Sequence, residues 1–561
     1  MLTGETTLPN LHPQSVFDAF AASAARTPGA DFLYTETVTA QVYGIAAGAI
    51  SWQQAAAAVQ TLRQAYAAAG YGHGHRVGLL LENRPDFFYH WFALNALGVS
   101  VVPINIEMRA AELQYLIGHS EICLAVTLPQ RHADLQAAAQ AIGHRLALLE
   151  WQADSPAPLD AAVPPAPTPA PHAGRTVDAQ TECALLYTSG TTGRPKGCML
   201  DNAYFLRAGR WYADLGGISP VRPDQERVMT PLPLTHMNAM ACSAMVVLTV
   251  GGCLVQLDRF HPKTWLQSAR ESGATIVHYL GVMPAMLLAA PEEEGDRQHQ
   301  IRWGFGAGVD NRNHAVFEAR FGFPLVEAWA MTETGAAACI MANHEPRQVG
   351  THCFGRPELF VQVRLVGEDG ADVPDDTPGE LWVRSAGDDP RRYFFRGYLK
   401  DEKATEEAWE GGWFHTGDMV RRDAQGQLHF VDRKKNVIRR SGENISAVEV
   451  ESVLNQHPAV KTSAVAAAPD AVRGDEVLAC IVLHAPAPAD AQARQALAHS
   501  IVAHALAQLA YYKAPGYVAF VEALPLTPSQ KIQRGQLRAL AQQLLGQAHC
   551  IDTRSLKKRQ D

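Results

Sequence analysis

The chain has 561 residues and a mass of 60.9 kDa. At roughly 100–200 residues per domain, a chain of this length forms about three to five structural units. Hydrophobic residues make up 47% of it and charged residues 19%, which excludes a disordered, collagen-like or coiled-coil protein. The formal net charge is −9, and such an acidic chain is a poor candidate for sequence-independent nucleic-acid binding, which needs many Lys and Arg residues.

The charge is distributed unevenly along the chain. Residues 433–561 carry 16 basic and 10 acidic side chains, a net charge of +6, which leaves −15 for residues 1–432. A basic C-terminal part suits a small polyanion as ligand. Uneven surface charge without any function is, from charge alone, the commoner explanation.

The nine cysteines are scattered and include no CxxC pair, which is typical of thiols in a reducing compartment rather than of disulfides or a zinc site. The first residues lack the basic segment and apolar core of a secretory signal. The longest uncharged stretch, 239–257, contains Gly251 and Gly252, which would break a membrane span. It predicts a buried helix, a turn and a strand. We expect a cytoplasmic protein without a membrane span, either a monomer or a homodimer.

In chain order, short apolar runs alternate with segments of helical length, a pattern typical of mainly parallel sheets covered by helices. Strands are predicted at 77–81, 99–104, 123–127 and 275–279, and helices at 86–97, 110–117 and 262–271. Between residues 155 and 171 there are seven prolines. They indicate a surface connection, because proline cannot donate to a sheet.

The pattern changes in the last third of the chain. After residue 350, short alternating runs such as 361–366 and 381–383 are separated by turns, which indicates antiparallel strands. From residue 433 onward, a helix at 446–455 and strands at 463–467 and 478–483 are enough for a small α+β domain. We expect the tail after residue 546 to be loosely held.

The strongest local signal is the run LLYTSGTTGRPKG at 185–197, which predicts a strand followed by a loop closed by Lys196. Glycines let the backbone approach phosphate oxygens, hydroxyls donate hydrogen bonds and the lysine supplies positive charge. The loop is not a Walker A loop, because Pro195 precedes the lysine and Gly197 follows it. The predicted ligand is a triphosphate, held by Thr188, Ser189, Gly190, Thr191, Thr192, Gly193 and Lys196.

This loop and six further motifs resemble, in the same order, those of the AMP-forming, adenylate-forming enzymes: acyl-CoA synthetases, peptide-synthetase adenylation domains and luciferases. The further motifs are PLPLTH at 231–236, EAWAMTETG at 327–335, GELWV at 379–383, WFHTGD at 413–418, DRKKNVIRRSGENISAVEVE at 432–451 and LPLTPSQKIQR at 524–534. The resemblance implies an α/β fold. A large N-terminal domain over 1–432 would contain two α/β subdomains and a β-rich one, followed by a small mobile α+β lid over 433–545 and a tail over 546–561.

Several motif residues suit a nucleotide by residue type. Trp329 can stack on a purine, Thr332 can hydrogen-bond a phosphate, and Glu333 can hold Mg²⁺ through hard oxygen atoms. Asp418 can accept hydrogen bonds from ribose hydroxyls, although an aspartate after glycine also caps turns. The resemblance further places Arg433 near ribose and phosphate, the run Gly306, Ala307 and Gly308 near the adenine, and the domain hinge at Lys435.

A carboxylate that attacks the α-phosphate brings like charges together, and a lysine that bridges both groups relieves the repulsion. By resemblance, Lys531 is this catalytic lysine. His236 would lie beside the acyl pocket, and the loop with Gly442 and Glu443 would admit the pantetheine arm of CoA. The chain departs from the family pattern at Gly308, Ala330 and Gln530.

The resemblance implies a ligase that uses ATP, Mg²⁺ and CoA. A carboxylate and Mg-ATP would give acyl-AMP and pyrophosphate, after which the CoA thiolate would displace AMP. The motifs are most similar to the crotonobetaine/carnitine–CoA ligase group and its fatty-acid relatives. Small and apolar residues at 237–240 and 335–339 predict a pocket for short or medium acyl chains, without fixing the acid. The alternatives are an enzyme that loads a carrier protein and a catalytically silent member of the fold.

Overall fold

The computed structural model describes residues 13–152, 163–188, 194–309, 311–367, 369–433, 438–441, 443–445, 447–525, 532, 534–547 and 549–558. The α-helices are α1 (Val16–Arg26), α2 (Thr37–Tyr43), α3 (Trp52–Ala68), α4 (Pro85–Asn95), α5 (Ala110–Ser120), α6 (Pro129–Ala141), α7 (Asn202–Ala213), α8 (Met245–Val250), α9 (Trp265–Ser272), α10 (Val282–Leu288), α11 (Asn311–Phe321), α12 (Glu402–Ala408), α13 (Ala447–Leu454), α14 (Ala491–Gln508) and α15 (Arg534–Leu544).

The strands are β1 (Asp31–Thr35), β2 (Gly48–Ser51), β3 (Arg76–Leu80), β4 (Ser100–Pro103), β5 (Leu124–Thr127), β6 (Ala147–Glu150), β7 (Glu182–Thr188), β8 (Lys196–Asp201), β9 (Arg227–Thr230), β10 (Cys253–Gln256), β11 (Ile276–Leu280), β12 (Trp303–Ala307), β13 (Leu325–Trp329), β14 (Ile340–Met341), β15 (Cys353–Gly355), β16 (Val361–Val366), β17 (Gly379–Ser385), β18 (Gly397–Tyr398), β19 (Phe414–Arg422), β20 (Leu428–Arg433), β21 (Ile438–Arg440), β22 (Glu443–Ile445), β23 (Val460–Asp470), β24 (Gly474–Leu483), β25 (Tyr517–Phe520) and β26 (Cys550–Asp552).

Local sequence sets where several of these elements begin and end. Helix α3 begins at a capping box, in which Ser51 and Gln54 satisfy each other's backbone N–H groups. Helix α4 begins with Pro85, whose missing N–H costs nothing in a first turn. The uncharged stretch near residue 250 forms a π-helix (Asn238–Ala244), then α8, a turn at Gly251 with φ 77°, and β10, as predicted.

The described residues of the N-terminal part form three sheets. A seven-stranded sheet has the order β18-β8-β7-β4-β3-β5-β6, and an eight-stranded sheet has the order β14-β13-β12-β11-β9-β10-β1-β2. Both are mainly parallel and covered by helices, whereas the five-stranded sheet β15-β20-β19-β17-β16 is antiparallel. The predicted class, α/β subdomains with a β-rich one, is confirmed.

The lid has its own sheet and its own core. Strands β22, β21, β24, β25 and β26 follow one another across this sheet, and β23 pairs with β24. Ile501 and Val502 of α14 are fully buried in a core separate from that of the N-terminal part, where Phe20, Phe32 and Trp52 pack together. Among the residues that the structure describes, none of the helices combines the length and the apolar character that a membrane span requires.

The expectation of a loosely held tail is wrong for residues 549–558. Strand β26 pairs antiparallel with β25, and Lys557 is buried against Glu476. This segment is ordered because it pairs with the edge of the lid sheet. Strand β25 would otherwise expose unpaired backbone groups, and the short segment Cys550–Asp552 covers them.

Candidate active site

The nucleotide motifs meet where the central strands of the eight-stranded sheet end. Strands β11, β12 and β13 are parallel, so that Gly306 lies between Tyr279 and Glu327. A Cβ atom at Gly306 would overlap the backbone oxygen of Tyr279, and Gly308 has a φ of 79°. Both positions therefore require glycine. The carboxyl edge of such a sheet is the usual ligand site in α/β proteins.

Glu327, the first residue of the motif EAWAMTETG, fixes the turn after β12, a role that its position in the motif does not predict. Its carboxylate accepts hydrogen bonds from the backbone N–H of Gly308 at 3.0 Å and of Val309 at 2.9 Å. Burial raises its pKa, although these two hydrogen bonds act in the opposite direction. The wall predicted near the adenine, Gly306 to Gly308, is thus held in place by a buried side chain of the next strand.

Trp329 and Asp418, predicted to bind the adenine and the ribose, are in direct contact. The indole Nε1 donates a hydrogen bond of 2.9 Å to Oδ2 of Asp418, and both side chains are buried. The backbone N–H of Asp418 donates to Oγ1 of Thr416 at 3.0 Å. On the neighbouring strand, Arg433 is the pairing partner of Asp418, so that β19 and β20 bring the predicted ribose-binding residues together.

Tyr398 contacts both Glu333 and Lys196, although it lies outside the sequence motifs. The Tyr398 hydroxyl donates a hydrogen bond of 2.9 Å to Oε1 of Glu333, and Nζ of Lys196 lies 4.5 Å from the centre of the Tyr398 ring. Burial, followed by the charge of Glu333, raises the pKa of Tyr398 far above its ordinary value. Tyr398 therefore stays protonated and positions the carboxylate of Glu333.

The remaining residues of the phosphate motif lie beside this group. Thr188 ends β7 and Lys196 begins β8, and these two strands pair antiparallel on either side of the loop. The backbone oxygen of Thr332 accepts a hydrogen bond of 2.9 Å from the Tyr204 hydroxyl. The other predicted site residues, Ser189, Gly190, Thr191, Thr192, Gly193, Lys435, Gly442 and Lys531, lie outside the described residues.

His236 and Glu443 bring the N-terminal part and the lid into contact. Glu443 begins β22, and its Oε2 lies 3.3 Å from Nε2 of His236, which precedes the π-helix. Burial favours neutral His236, but the negative charge of Glu443 outweighs it and raises the pKa of His236. Burial likewise opposes the charge on Glu443, yet His236 and Lys513 lower the pKa of that carboxyl group.

Lys513 of the lid forms a second contact between the two parts. Its Nζ lies 2.6 Å from Oε1 of Glu112 on α5 and 2.9 Å from Oε1 of Glu449 on α13. Burial opposes the ammonium charge, but the two carboxylates raise the pKa of Lys513 above its ordinary value. Within the described ranges, no cluster of three or more His, Cys, Asp or Glu side chains could hold a metal ion.

The fold and the site together define a nucleotide-binding enzyme. Its lid places polar residues such as Glu443 beside the carboxyl edge of the eight-stranded sheet. The sequence matches the AMP-binding enzyme family over residues 20–399 and the AMP-binding enzyme C-terminal domain over residues 449–531. The chain therefore belongs to the AMP-binding enzyme family.

Two relatives named as CoA ligases agree with this assignment, and a solved structure shares the fold. The sulfoacetate–CoA ligase of Cupriavidus necator is 33% identical over 485 residues, which cover 85% of this chain and 90% of that protein. The crotonobetaine/carnitine–CoA ligase of Shigella flexneri is 28% identical over 488 residues, 84% of this chain and 89% of that protein. The fold is similar to that of an o-succinylbenzoate CoA synthetase from Bacillus subtilis, with a TM-score of 0.76 at 24% identity, covering 93% of this chain and 98% of that chain. The predicted enzyme class, an AMP-forming acyl-CoA synthetase, is confirmed.

Proposed function

We propose that this enzyme joins a short or medium-length carboxylic acid to CoA in the cytoplasm, with the residues described above dividing the work between two half-reactions. In the first, a carboxylate oxygen of the acid attacks the α-phosphorus of ATP, and pyrophosphate leaves. In the second, the CoA thiolate attacks the acyl carbon, and AMP leaves with the electron pair of the broken C–O bond. The cytoplasmic location is supported by nine cysteines that form no disulfide.

The proposal that different residues serve adenylation and thioester formation rests on one contact. Nε2 of His236 lies 3.3 Å from Oε2 of Glu443. It supports an arrangement in which the lid presents Glu443 to the acyl site beside His236. We propose that the pantetheine arm enters along the Glu443 loop. For adenylation we propose a second lid arrangement, reached by rotation about Lys435, in which Lys531 contacts the α-phosphate.

The nucleotide would lie along the ends of β12 and β13. We propose that Trp329 stacks on the adenine, that Asp418 and Arg433 bind the ribose side, and that Thr332 and the loop from Thr188 to Lys196 bind the phosphates. The hydrogen bond of Trp329 to Asp418 supports this role, because it fixes the ring beside the ribose-binding carboxylate.

Glu333 is the residue that we propose as the Mg²⁺ ligand. Mg²⁺ usually binds through one or two carboxylates together with substrate phosphates. The buried carboxylate of Glu333, held by Tyr398 close to Lys196, fits this donor set. When bound, Mg²⁺ would neutralise negative charge on the phosphates.

The size of the acid is supported by two kinds of observation. The residues after His236 and those at 335–339 are mostly small or apolar, and 335–339 are buried. The relatives described above are named for sulfoacetate and for crotonobetaine or carnitine, which are small molecules. Both observations favour a short acyl group over a long hydrocarbon chain.

The first experiment separates the three candidate activities. The protein is incubated with ATP, MgCl₂ and a panel of short carboxylic acids, with and without CoA, and pyrophosphate and thioester are measured. A CoA ligase gives thioester only when CoA is present. Adenylate without thioester in the presence of CoA would favour carrier-protein loading, and no pyrophosphate with any acid would mean a silent protein.

The second experiment uses a matched pair of variants to test the two half-reactions. We expect Lys531→Ala to slow adenylation by about 10²–10³-fold, since it removes one charge that stabilises the transition state, and to spare thioester formation from supplied acyl-AMP. Glu443→Gln is expected to do the reverse. Equal losses in both half-reactions for either variant would contradict the proposed roles.

A further inference from the structure

A buried chain of hydrogen bonds runs from α7 to Asn238, the first residue of the π-helix. The Tyr212 hydroxyl lies 2.9 Å from Nε2 of His278, and Nδ1 of the same imidazole lies 2.6 Å from Oδ1 of Asn238 and 2.9 Å from Oγ of Ser243. Tyr212, His278 and Ser243 are fully buried. Burial lowers the pKa of His278 to about 3, so its imidazole is neutral.

The direction of these hydrogen bonds follows from Tyr212. Among the described residues, His278 Nε2 is the one acceptor within reach of the Tyr212 hydroxyl, so this hydroxyl must donate to it. A neutral imidazole carries a single N–H, which is therefore on Nδ1. Nδ1–H donates to Oδ1 of Asn238, while the hydroxyl of Ser243 donates to the backbone oxygen of Asn238 at 3.3 Å.

This arrangement fixes the amide of Asn238. With Oδ1 turned to His278, the NH₂ group must point the other way, and within the described part of the chain it has no hydrogen-bond acceptor. The reverse orientation would require Nε2–H to donate to Tyr212, which would leave the buried hydroxyl proton of Tyr212 unpaired. A buried polar hydrogen without a partner costs about 1–3 kcal/mol.

Asn238 stands at the open end of this hydrogen-bonded chain. His278 and Leu280 share one face of β11, and their partners Phe305 and Ala307 lie on the same face of β12. His278 is fully buried, whereas Leu280, Ala307 and Asn238 are half-buried. Exposure thus increases toward the carboxyl edge of the sheet, where the acyl site is proposed. The π-helix that begins at Asn238 is a further feature common at functional sites.

We infer that the amide NH₂ of Asn238 recognises a second hydrogen-bond acceptor on the acid, such as a hydroxyl or sulfonate oxygen close to its carboxylate. This inference rests on the proposed function and narrows its substrate to short acids that carry a polar substituent. An unsubstituted acyl chain would cover the amide without pairing it. Tyr212 and His278 act as positioning residues, since they determine which end of the Asn238 amide faces the acid.

The test compares acids of equal shape that differ in the acceptor. The pairs are 3-hydroxybutyrate with 3-methylbutyrate, and sulfoacetate with 3,3-dimethylbutyrate. The wild-type enzyme is expected to prefer the polar member of at least one pair in kcat/KM, measured by pyrophosphate release. Asn238→Leu should lower that preference by about 10- to 100-fold, with the loss confined to the polar acid. Asn238→Ala is the second variant, in case the leucine disturbs folding.

Tyr212→Phe tests the positioning separately. Removing the hydroxyl frees Nε2 of His278, so the imidazole can carry its proton on either nitrogen and the Asn238 amide can turn. We expect the preference for the polar acid to fall while KM for ATP is unchanged. The nitrogen NMR signals of His278 should show Nδ1–H in the wild type and a mixture of the two tautomers in the variant.

Several results would overturn the inference. If Asn238→Leu lowers kcat/KM equally for both acids of a pair, then Asn238 does not discriminate between them. A wild-type preference for the hydrocarbon member of both pairs would exclude an acceptor-bearing substrate. If the wild type released no pyrophosphate with any acid, the proposed function itself would fail, a result distinct from a changed preference between paired acids.

Discussion

Glu333 illustrates how a single residue in this site can be tested without disturbing its neighbours. Its carboxylate accepts a hydrogen bond from Tyr398 and is buried, so Glu333→Gln keeps the shape of the side chain and removes its charge. We expect adenylation to slow by about 10²–10³-fold, because a charge that helps to hold Mg²⁺ at the phosphates is lost. The Mg²⁺ concentration for half-maximal pyrophosphate release should rise.

Tyr398→Phe is the matched control for this prediction. It removes the positioning hydrogen bond but keeps the negative charge of Glu333, so the Mg²⁺ dependence should change much less than in Glu333→Gln. If Glu333→Gln shows the Mg²⁺ dependence of the wild type, then Glu333 does not hold the metal ion.

In the same site, some functional residues could be predicted from the sequence motifs and others could not. Trp329 and Asp418 belong to separate motifs, and the structure joins them by one hydrogen bond. Tyr398 was missed because it stands in none of the motifs, and Glu327 because its place at the start of EAWAMTETG does not reveal its hydrogen bonds to the turn after β12. Tyr398 is 65 positions from Glu333, and the pairing of β18 with β8 brings it beside Lys196.

At the level of elements, the alternation of apolar runs predicted β3, β4 and β5 well, because each is a buried run between helices of clear length. Strand β26 was missed for the opposite reason. It spans only Cys550–Asp552, too short for any periodic pattern, and its pairing depends on the edge that β25 offers. The sequence therefore could not show that Cys550–Asp552 adds a strand to the lid sheet.

Lys557, which lies shortly after β26 and is buried in the lid, makes the stability of the lid depend on pH. Burial, aided by the positive charge of Arg440, lowers the pKa of Lys557 to about 7, despite its contact with Glu476. In the unfolded chain the ordinary value is 10.5. Between these values the unfolded state binds one more proton, so the free energy of unfolding should rise with pH by up to about 1.4 kcal/mol per pH unit. Below about pH 7 this contribution is constant.

Urea unfolding of the full chain at pH 7.5 and at pH 9, followed by circular dichroism, measures this slope. Lys557→Met should reduce it, since methionine fills the same space without a titrating group. Lys461→Met, at an exposed position on β23, is the control and should leave the slope unchanged. An identical slope in wild type and Lys557→Met would contradict the lowered pKa of Lys557.

For the whole molecule, the uneven charge of the sequence separates an acidic part, residues 1–432, from a basic part, residues 433–561. It could not show how the two parts meet. Lys513 lies 401 positions from Glu112, and both are common residue types in unremarkable surroundings. Such a contact depends on the folded surfaces of two domains, and no local pattern in the chain encodes it.

The contact made by Lys513 should control how often the lid adopts the arrangement seen here. Its ammonium group lies between two buried carboxylates, Glu112 of the N-terminal part and Glu449 of the lid. Lys513→Met would leave these carboxylates facing each other without the cation. Breaking a buried ion pair in this way costs about 3–5 kcal/mol when the structure cannot relax, and here the lid can relax by turning away. We therefore expect thioester formation from supplied acyl-AMP and CoA to slow at least about tenfold, with adenylation spared.

Both half-reactions, measured separately, test this expectation, and a second substitution shows whether charge is the cause. Adding Glu112→Gln to Lys513→Met removes the repulsion across the interface and should restore much of the lost thioester formation. Lys461→Met, an exposed substitution with the same change of charge in the lid, should affect neither half-reaction. Because lid position should affect the two half-reactions differently, equal slowing of both in Lys513→Met would indicate general damage to the fold. Failure of Glu112→Gln to restore activity would exclude electrostatic repulsion as the reason that the lid moves away.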